Sequence, residues 1–351
     1  MDHAWLHNLD PIIFRISGEL AIRWYGVSYL AGFVLGWLLL RRLAKKGYTP
    51  LSTRDVDDLI MSVVVGVIVG GRLGYAVFYD PSLLYTFSKD VPFWELFRVT
   101  NGGMASHGGM IGVLIAGWVF RRRFRREHPT IAMPMGHITD LLALAAPVGL
   151  GLGRIANFIN GELLGKIVAM PGEPGPWWSV RYPQEVLSRH DPGMLMPLEA
   201  RMSREEALRT LTGSAVETRG FSAAYERVLD QLHRHAGNID EQLRPLVSAR
   251  HPSQLYQALA EGLVLGVALW MVCRATKRPG IVSACFLVIY GVLRVVTEVW
   301  RLPDAQLAVQ RVLGLSRGQW LSVVMVLIGV GLFVYAKAKL RPMQAAPGAS
   351  V

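Results

Sequence analysis

The sequence has little charge for its length. Of its 351 residues only 18% are charged, whereas 52% are hydrophobic. Soluble domains of ordinary composition carry about 25% charged residues. The low charge therefore argues against a soluble globular protein, and a membrane protein is the first expectation.

Cysteine is scarce as well. Cys273 and Cys285 lie in apolar stretches, without CxxC spacing and without a histidine cluster that could share a metal. We expect both to be inert packing residues. The amino terminus lacks a basic segment ahead of a short apolar core, so no cleaved signal peptide is predicted and the first apolar segment should stay in the mature protein.

The net charge of +11 does not indicate nucleic acid as a partner. The basic residues fall in short clusters beside apolar runs rather than along one polar face. Such clusters are typical of the cytoplasmic ends of membrane helices.

A bilayer core of about 30 Å needs about 20 mostly apolar residues in a helix. Seven windows meet or approach this length: Ile22–Leu40, Leu59–Tyr79, Met104–Phe120, Ile138–Asn157, Leu255–Cys273, Ile281–Trp300 and Trp320–Ala336. The predicted fold is therefore an all-α integral membrane protein with seven transmembrane helices.

The basic residues also predict the orientation of these helices. The segments that follow the odd-numbered windows hold 16 lysines and arginines, against seven in the short segments on the other side. The positive-inside rule then places the amino terminus outside and the carboxyl terminus in the cytoplasm.

The polar stretch between the fourth and fifth windows is predicted to be a helical extracytoplasmic insert. A capping-box pattern at Ser203 and Glu206 predicts the start of one short helix, and apolar residues at helical spacing predict another over Ser222–His235. The predicted organisation is helices one to four in 1–165, the insert in 166–250, helices five to seven in 251–340, and a cytoplasmic tail in 341–351.

Several charged residues lie inside the apolar windows. A charge at membrane depth costs about 3 kcal/mol, so such residues usually face the protein interior with a partner or a function. Arg72, Arg154 and Arg294 each lie about 20 Å or more from the cytoplasmic entry of their helix, at a rise of 1.5 Å per residue. With His107 they are expected to converge in the outer half of the bilayer. Asp140, near the cytoplasmic end of its window, is expected to be structural.

Arg154 is the strongest candidate for an anion site. It lies in GRIANFINGELLG with Asn157, Asn160 and Glu162 after it, and no carboxylate is near it in the sequence before. A guanidinium group binds anions bidentately, and asparagine adds neutral donors. Arg294, in contrast, has Glu298 four residues later, so a structural ion pair and a functional role are both open for it.

His107, Tyr25 and Tyr290 have weaker signals. His107 is flanked by glycines in GGMASHGGMIG, which leaves its imidazole accessible, but capping or packing explains a lone histidine equally well. The two tyrosines are compatible with membrane-interface packing or with substrate contact. His251, in HPSQLY, is expected to form a structural turn.

A cationic pocket that opens to the outer leaflet suits an anionic phospholipid headgroup, which favours lipid chemistry. A membrane lipid or anion transporter is the alternative, although transport sites usually lie between repeated halves and no repeat is evident here. A seven-helix photoreceptor is disfavoured, because the last window lacks a central lysine.

Five motifs resemble, in order, the signatures of the prolipoprotein diacylglyceryl transferases. They are GGRLGY at 70–75, HGGMIG at 107–112, GRIANFINGELLG at 153–165, HPSQLY at 251–256 and YGVLRVVTEVWRLPD at 290–304. The resemblance implies a bacterial inner-membrane enzyme that moves the diacylglyceryl group of phosphatidylglycerol to the lipobox cysteine of a prolipoprotein signal peptide. It implies no metal, no cofactor and no nucleic acid.

The resemblance also implies roles for individual residues. His107, Arg154 and Arg294 are the expected catalytic residues, with the two arginines as phosphate clamps and His107 as a general base or a headgroup donor. The expected substrate-binding residues are Arg154, Asn157, Asn160, Gly165, Tyr25, Tyr290, Glu162, Glu298 and Arg301. Glu298 is expected to orient Arg294.

Overall fold

The computed structural model describes residues 2–17, 20–89, 91–98, 102–213, 220–302, 311–312 and 315–342. Pro303 and Asp304 of the last motif and most of the predicted tail lie outside the described residues. The helices are α1 (Trp24–Lys45), α2 (Thr53–Phe78), α3 (Ser106–Glu127), α4 (Met135–Ile159), α5 (Leu198–Thr212), α6 (Phe221–His233), α7 (Ile239–Leu243), α8 (Ser253–Gln257), α9 (Leu265–Ala275), α10 (Ile281–Thr297) and α11 (Arg317–Lys339). A π-helical segment, Ala258–Val264, joins α8 to α9 without a break.

Long helices occupy all seven predicted windows. Six of the described helical stretches are long and apolar enough to cross a membrane: Trp24–Lys45, Thr53–Phe78, Met135–Ile159, Ser253–Ala275, Ile281–Trp300 and Gly318–Lys339. The remaining helix, α3, ends in a run of arginines that makes it more polar. The helical membrane architecture is therefore confirmed.

The sequence predicts a helical insert between α4 and α8. This segment contains strands as well as helices. Its strands β4 (Ile167–Ala169), β5 (Val180–Arg181) and β6 (Ala249–Arg250) form a sheet with β1 (Trp5–Leu6), in the order β1-β5-β6-β4. Strands of two or three residues are too short to show an alternating pattern in the sequence, which is why the prediction missed them. Two further antiparallel pairs join Ile12–Ser17 to Leu20–Arg23 and Arg311–Val312 to Leu315–Ser316.

One of the two helices predicted for this segment is confirmed. Helix α6 begins at Phe221, and Tyr225, Val228 and Leu232 are buried in one apolar cluster with Leu6. The predicted capping box is wrong, because α5 begins at Leu198 directly after Pro197 and Ser203 lies inside the helix. Proline fixes its own φ and disfavours helix before it, so it sets the start of α5 ahead of the capping pattern.

The described chain divides into two compact units. The first comprises Met1–Ala31, Gly149–Leu265 and Ile289–Val326, and the second comprises Gly32–Val148, Gly266–Val288 and Leu327–Val351. The small sheet and the α6 cluster belong to the first unit.

In the second unit, α2 and α3 pack backbone against backbone through small residues. A Cβ added to Gly108 would collide with the carbonyl oxygen of Gly70 and lie 2.8 Å from Cα of Gly74. Gly66 meets Gly112 in the same way, with the carbonyl oxygen of Gly112 only 2.5 Å from where a Cβ of Gly66 would be. This spacing of small residues at every fourth position lets membrane helices approach closely.

We expect Gly108→Ala to lower the free energy of unfolding by about 1–3 kcal/mol, since a methyl group has no space between these backbones. Gly109→Ala is the matched control, because its nearest contact would be the Val67 carbonyl at 3.8 Å. Thermal unfolding in detergent measures both. Equal melting temperatures for the two variants would contradict the close packing.

Asp140 has the structural role that the sequence predicted. Its carboxylate accepts hydrogen bonds from the backbone N–H groups of Gly280 and Ser283, both at 2.7 Å. These groups lie at the start of α10, where the first N–H groups of a helix lack partners within the helix. Asp140 therefore caps a neighbouring helix in the second unit.

Candidate active site

Three charged side chains of the first unit form one cluster. Arg154 donates from Nε to Oε2 of Glu261 at 3.0 Å and from Nη2 to Oε1 at 3.4 Å. Arg294 donates from Nη1 to the same Oε1 at 3.4 Å. The two arginines, from α4 and α10, therefore share one carboxylate, and we call Arg154, Glu261 and Arg294 the arginine–glutamate cluster.

Glu261 lies in the middle of the π-helical segment and is fully buried. A π turn inside a helix often marks a functional site, because it displaces side chains from their α-helical positions. Glycines bring this segment close to α4: a Cβ on Gly151 would lie 3.1 Å from Cα of Gly262. The approach of the two backbones allows the short side chain of Glu261 to reach Arg154.

The cluster carries an excess of positive charge. Two guanidinium groups face one carboxylate, so one unit of positive charge is left over. Tyr290, one turn before Arg294 on α10, also interacts with Arg154. The side chains of Arg154 and Arg294 keep 14% and 18% of their surface exposed, whereas that of Glu261 has none. An approaching anion would therefore meet the arginines and not the carboxylate.

The end of α4 supplies a second, neutral group of donors. Asn157 is buried and donates from Nδ2 to Oε1 of Glu162 at 2.9 Å and to the hydroxyl of Tyr25 at 3.3 Å. Asn160 donates to the same Glu162 oxygen at 3.3 Å. The structure thus brings together Tyr25, Asn157, Asn160 and Glu162, and their contact with substrate stays a prediction.

The loop that follows α4 is held in place by the HPSQLY motif. Gln254 donates to the carbonyl of Glu162 at 2.6 Å, and Ser253 donates to the carbonyl of Leu163 at 3.2 Å. Both side chains are fully buried. The motif therefore holds the loop that carries Glu162.

Gly165 has a packing reason to be glycine. It is buried, and a Cβ there would collide with the carbonyl of His251. Its own carbonyl accepts a hydrogen bond from Arg250 at 3.1 Å, and its backbone pairs with Arg301. A glycine at this position leaves room for the backbone of His251. Its contact with substrate stays a prediction.

The sheet near this loop contains a buried ion pair. Glu185 accepts from Arg250 at 2.5 Å and from the backbone N–H of Ser248 at 2.6 Å, and both side chains of the pair are fully buried. Burial raises the pKa of Glu185 against the opposing effect of Arg250. Burial and the nearby Lys166 also lower the pKa of His251.

Of the two alternatives left open for Arg294, the ion pair with Glu298 is not formed among the described residues. Within the described residues, the carboxylate at salt-bridge distance from Arg294 is Glu261. Glu298 instead accepts from Ser316 at 3.2 Å and lies 4.0 Å from Arg301. The reason is local, because α10 ends at Thr297 and a 3₁₀ turn follows, so the one-turn spacing expected of a continuous helix is lost.

His107 belongs to the second unit. It lies in the first turn of α3, which begins at Ser106, and its side chain is exposed. The glycine that follows it packs against α2, and this packing fixes the start of the helix. The structure therefore supports an accessible imidazole, and its chemical role stays a prediction.

Arg72 has a structural role, and its convergence with the other charged residues of the apolar windows stays a prediction. Its buried guanidinium group uses all five N–H donors on backbone carbonyls. The acceptors belong to Glu95, Leu96, Arg98, Gly102 and Gly103, at 2.7–3.1 Å. No N–H group of Arg72 is left for a ligand. The side chain instead holds the backbone of residues 95–98 and 102–103 in place.

We expect Arg72→Lys to loosen this segment, because an ammonium group has three donors and cannot reach all five carbonyls. Hydrogen exchange of residues 95–98 and 102–103 should increase about tenfold or more, corresponding to the loss of about 1.4 kcal/mol of local stability. The matched control is Arg23→Lys, an exposed arginine of the first unit. Unchanged exchange in Arg72→Lys would contradict the role assigned to the five hydrogen bonds.

Two functional candidates escaped the sequence analysis. One is Glu261. The other is Gln257, which lies one turn before Glu261 and is fully buried, while neither atom of its amide has a hydrogen-bond partner within the described residues. A buried amide without a partner is costly, which marks this position as part of the site and not of the apolar packing.

Comparison with known proteins supports the family suggested by the motifs. A family model described as prolipoprotein diacylglyceryl transferase matches residues 11–335. A phosphatidylglycerol–prolipoprotein diacylglyceryl transferase of Bdellovibrio bacteriovorus is 38% identical over 341 residues, which cover 94% of this chain and 93% of that protein. Proteins of the same name from Photorhabdus laumondii and Ralstonia pickettii are also 38% identical, over 94% of this chain and 93% and 94% of their own length. The chain therefore belongs to the prolipoprotein diacylglyceryl transferase family.

Proposed function

We propose that this protein transfers the diacylglyceryl group of phosphatidylglycerol to the lipobox cysteine of prolipoproteins, the first step of bacterial lipoprotein maturation. The observation that carries the proposal is the arginine–glutamate cluster, which offers two guanidinium groups and one unit of excess positive charge to a phosphate. The names of the similar proteins state the same donor and acceptor.

The reaction breaks the bond between the glyceryl carbon and the phosphate oxygen and forms a thioether between that carbon and the cysteine sulfur. The leaving glycerol phosphate gains negative charge as the bond breaks. Arg154 and Arg294 stabilise this charge, and guanidinium groups held in place before the reaction are effective because they need little reorganisation. Glu261 keeps the two like-charged arginines side by side when no substrate is bound.

The thiol must lose its proton for sulfur to attack, since the thiolate is the nucleophile and a free thiol has a pKa of about 8.5. His107 is the proposed acceptor of this proton. Tyr25, Asn157, Asn160 and Glu162 are the proposed contacts of the glycerol headgroup, because hydroxyl, amide and carboxylate groups all exchange hydrogen bonds with glycerol hydroxyls.

The proposed setting is the bacterial inner membrane, with seven helices crossing it and α3 among them. The amino terminus and the segment 166–250 lie outside and the carboxyl terminus lies in the cytoplasm, as the distribution of lysine and arginine favours. This orientation gives the site access to the outer leaflet, where phosphatidylglycerol and a translocated signal peptide meet.

The test is a mass-shift assay. The purified full-length protein is mixed with phosphatidylglycerol and a synthetic lipobox peptide, and a second peptide has serine in place of cysteine. We expect a gain of one diacylglyceryl group on the cysteine peptide alone, together with an equal amount of released glycerol phosphate. A folded protein that binds phosphatidylglycerol but modifies neither peptide would contradict the proposal and favour a lipid transporter.

A further inference from the structure

One face of α3, far along the helix from His107, carries a tryptophan followed by four arginines. Trp118, Arg121, Arg122, Arg125 and Arg126 line a groove of about 360 Å³. Their spacing of i, i+3, i+4, i+7 and i+8 places all of them on one side of the helix. We call this feature the arginine groove.

The helix that carries the groove is held in place by buried side chains on its other side. Phe120 and Phe124, on the other side of α3, are buried. Arg121 donates from Nε to the carbonyl of Met133 at 2.7 Å, and the guanidinium carbon of Arg122 lies 4.6 Å from the ring centroid of Trp118. The remaining guanidinium groups project from a helix that is held by apolar packing.

The arginines of the groove have no counterion of their own. No carboxylate in the described part of the chain lies within 4.0 Å of their nitrogens, although neighbouring charged groups do form such pairs. The end of α1 shows the contrast. There Arg41 also lies over a tryptophan, at 4.8 Å from the ring of Trp37, but Asp57 is 3.7 Å from Arg41 and accepts a hydrogen bond from Trp37 at 2.6 Å. Asp57 thus pairs with Arg41 at the end of α1, whereas no acidic residue of the described chain, Glu127 at the end of α3 included, pairs with the arginines of the groove.

We propose that the arginine groove binds the anionic headgroup of a membrane phospholipid, at a second lipid site that takes no part in the transfer reaction. Four clustered guanidinium groups repel one another, and a phosphate that accepts bidentate hydrogen bonds relieves this repulsion. The indole of Trp118 is exposed and lies one turn before the first of these arginines, and tryptophan favours the headgroup boundary of a bilayer. Basic pockets at the cytoplasmic ends of membrane helices bind anionic headgroups in this manner.

The positive-inside rule explains the number of these charges but not their arrangement. Orientation requires only that lysines and arginines be present near the helix end. It does not require them to share one face below a tryptophan, nor to lack an acidic partner. A bound lipid accounts for both features.

The experiment measures lipid retention by native mass spectrometry of the full-length protein in detergent. The probe is dioleoyl phosphatidylserine, an anionic phospholipid that is not the proposed substrate, and dioleoyl phosphatidylcholine is the zwitterionic comparison. Arg125→Gln/Arg126→Gln removes two exposed charges from the groove. Arg274→Gln/Lys277→Gln removes two charges from another basic cluster and is the matched control.

We expect the groove variant to bind phosphatidylserine at least tenfold more weakly than the wild type, since it loses two of the four guanidinium groups that attract the anionic headgroup. The control variant should keep wild-type affinity, and both should keep the wild-type melting temperature and transfer rate. Equal loss in the two variants would show a diffuse effect of surface charge and overturn the proposal. So would equal binding of phosphatidylcholine, or displacement of the lipid by millimolar inorganic phosphate, which would indicate a site for a small free anion.

Discussion

Arg154→Ala should abolish diacylglyceryl transfer while the protein still folds. Removing one preorganised donor from a site of developing negative charge costs about 10²–10³ in rate. The fold should survive, because Arg294 remains within reach of Glu261 and the buried carboxylate keeps a counterion. The release of glycerol phosphate in the presence of the cysteine peptide measures the rate, and thermal unfolding measures the fold.

Two further variants make this test specific. Arg154→Lys keeps the charge but loses the bidentate contact, so its rate should fall between those of alanine and wild type. Arg234→Ala is the matched control, since this arginine is 65% exposed and its ion-pair partner among the described residues is Asp230 on α6. Full activity of Arg154→Ala in a folded preparation would contradict the role of Arg154 in binding the phosphate.

Glu261→Gln should have the largest effect on stability. It leaves two guanidinium groups close together without their shared carboxylate, and breaking a buried ion pair from one side costs about 3–5 kcal/mol. We expect a marked fall in melting temperature, and a larger recovery on addition of phosphatidylglycerol than the wild type shows, because a phosphate can take the place of the missing carboxylate. Transfer should fall as well, since the arginines lose their common orientation.

A double variant separates the effect on charge from the effect on catalysis. Glu261→Gln/Arg294→Gln removes one charge of each sign, so it should regain much of the lost stability but none of the activity. Such non-additivity is expected of side chains that share one network. Glu199→Gln, at an exposed position of α5, is the control. Wild-type stability in Glu261→Gln would show that the carboxylate is not the counterion of the two arginines.

The membrane helices could be predicted from the sequence because each is a local property of about 20 apolar residues. The start of α10 at Ile281 agrees with the predicted window, and α1 begins two residues after the predicted Ile22. The sheet could not be predicted in this way. Trp5 pairs with Val180, and neither strand is long enough to show a period. Such pairing depends on the tertiary fold.

The candidate site was predicted in part. Arg154, Asn157, Asn160 and Glu162 came from one continuous motif, and the structure brings them together around the end of α4. The sequence does not point to the counterion of Arg154, because Glu261 lies 107 residues away on another helix. The sequence nevertheless contains an indication, because Glu261 is an acidic residue inside an apolar window. Like the arginines, a charge there is costly and needs a partner or a function.

Arg72 shows the limit of that reasoning. A charge inside an apolar window indicates that a partner exists, but it does not say whether the partner is a ligand or the backbone. Here the partners are backbone carbonyls. Two of them belong to Gly102 and Gly103, whose positive φ values define the turn that presents these carbonyls to Arg72. No periodic pattern encodes such a turn.

The π-helical segment has a consequence for the direction in which its helix faces. Ser253, Gln257, Glu261 and Leu265 are all fully buried, at intervals of four residues. A regular α-helix rotates each such step about 40° past a full turn, so three steps would carry Leu265 about 120° away from Ser253. The π turn accommodates one extra residue, equivalent to about 100°, and cancels most of this rotation. Ser253, Gln257, Glu261 and Leu265 can therefore all lie on one inward side of the helix. The other sides remain free to face lipid.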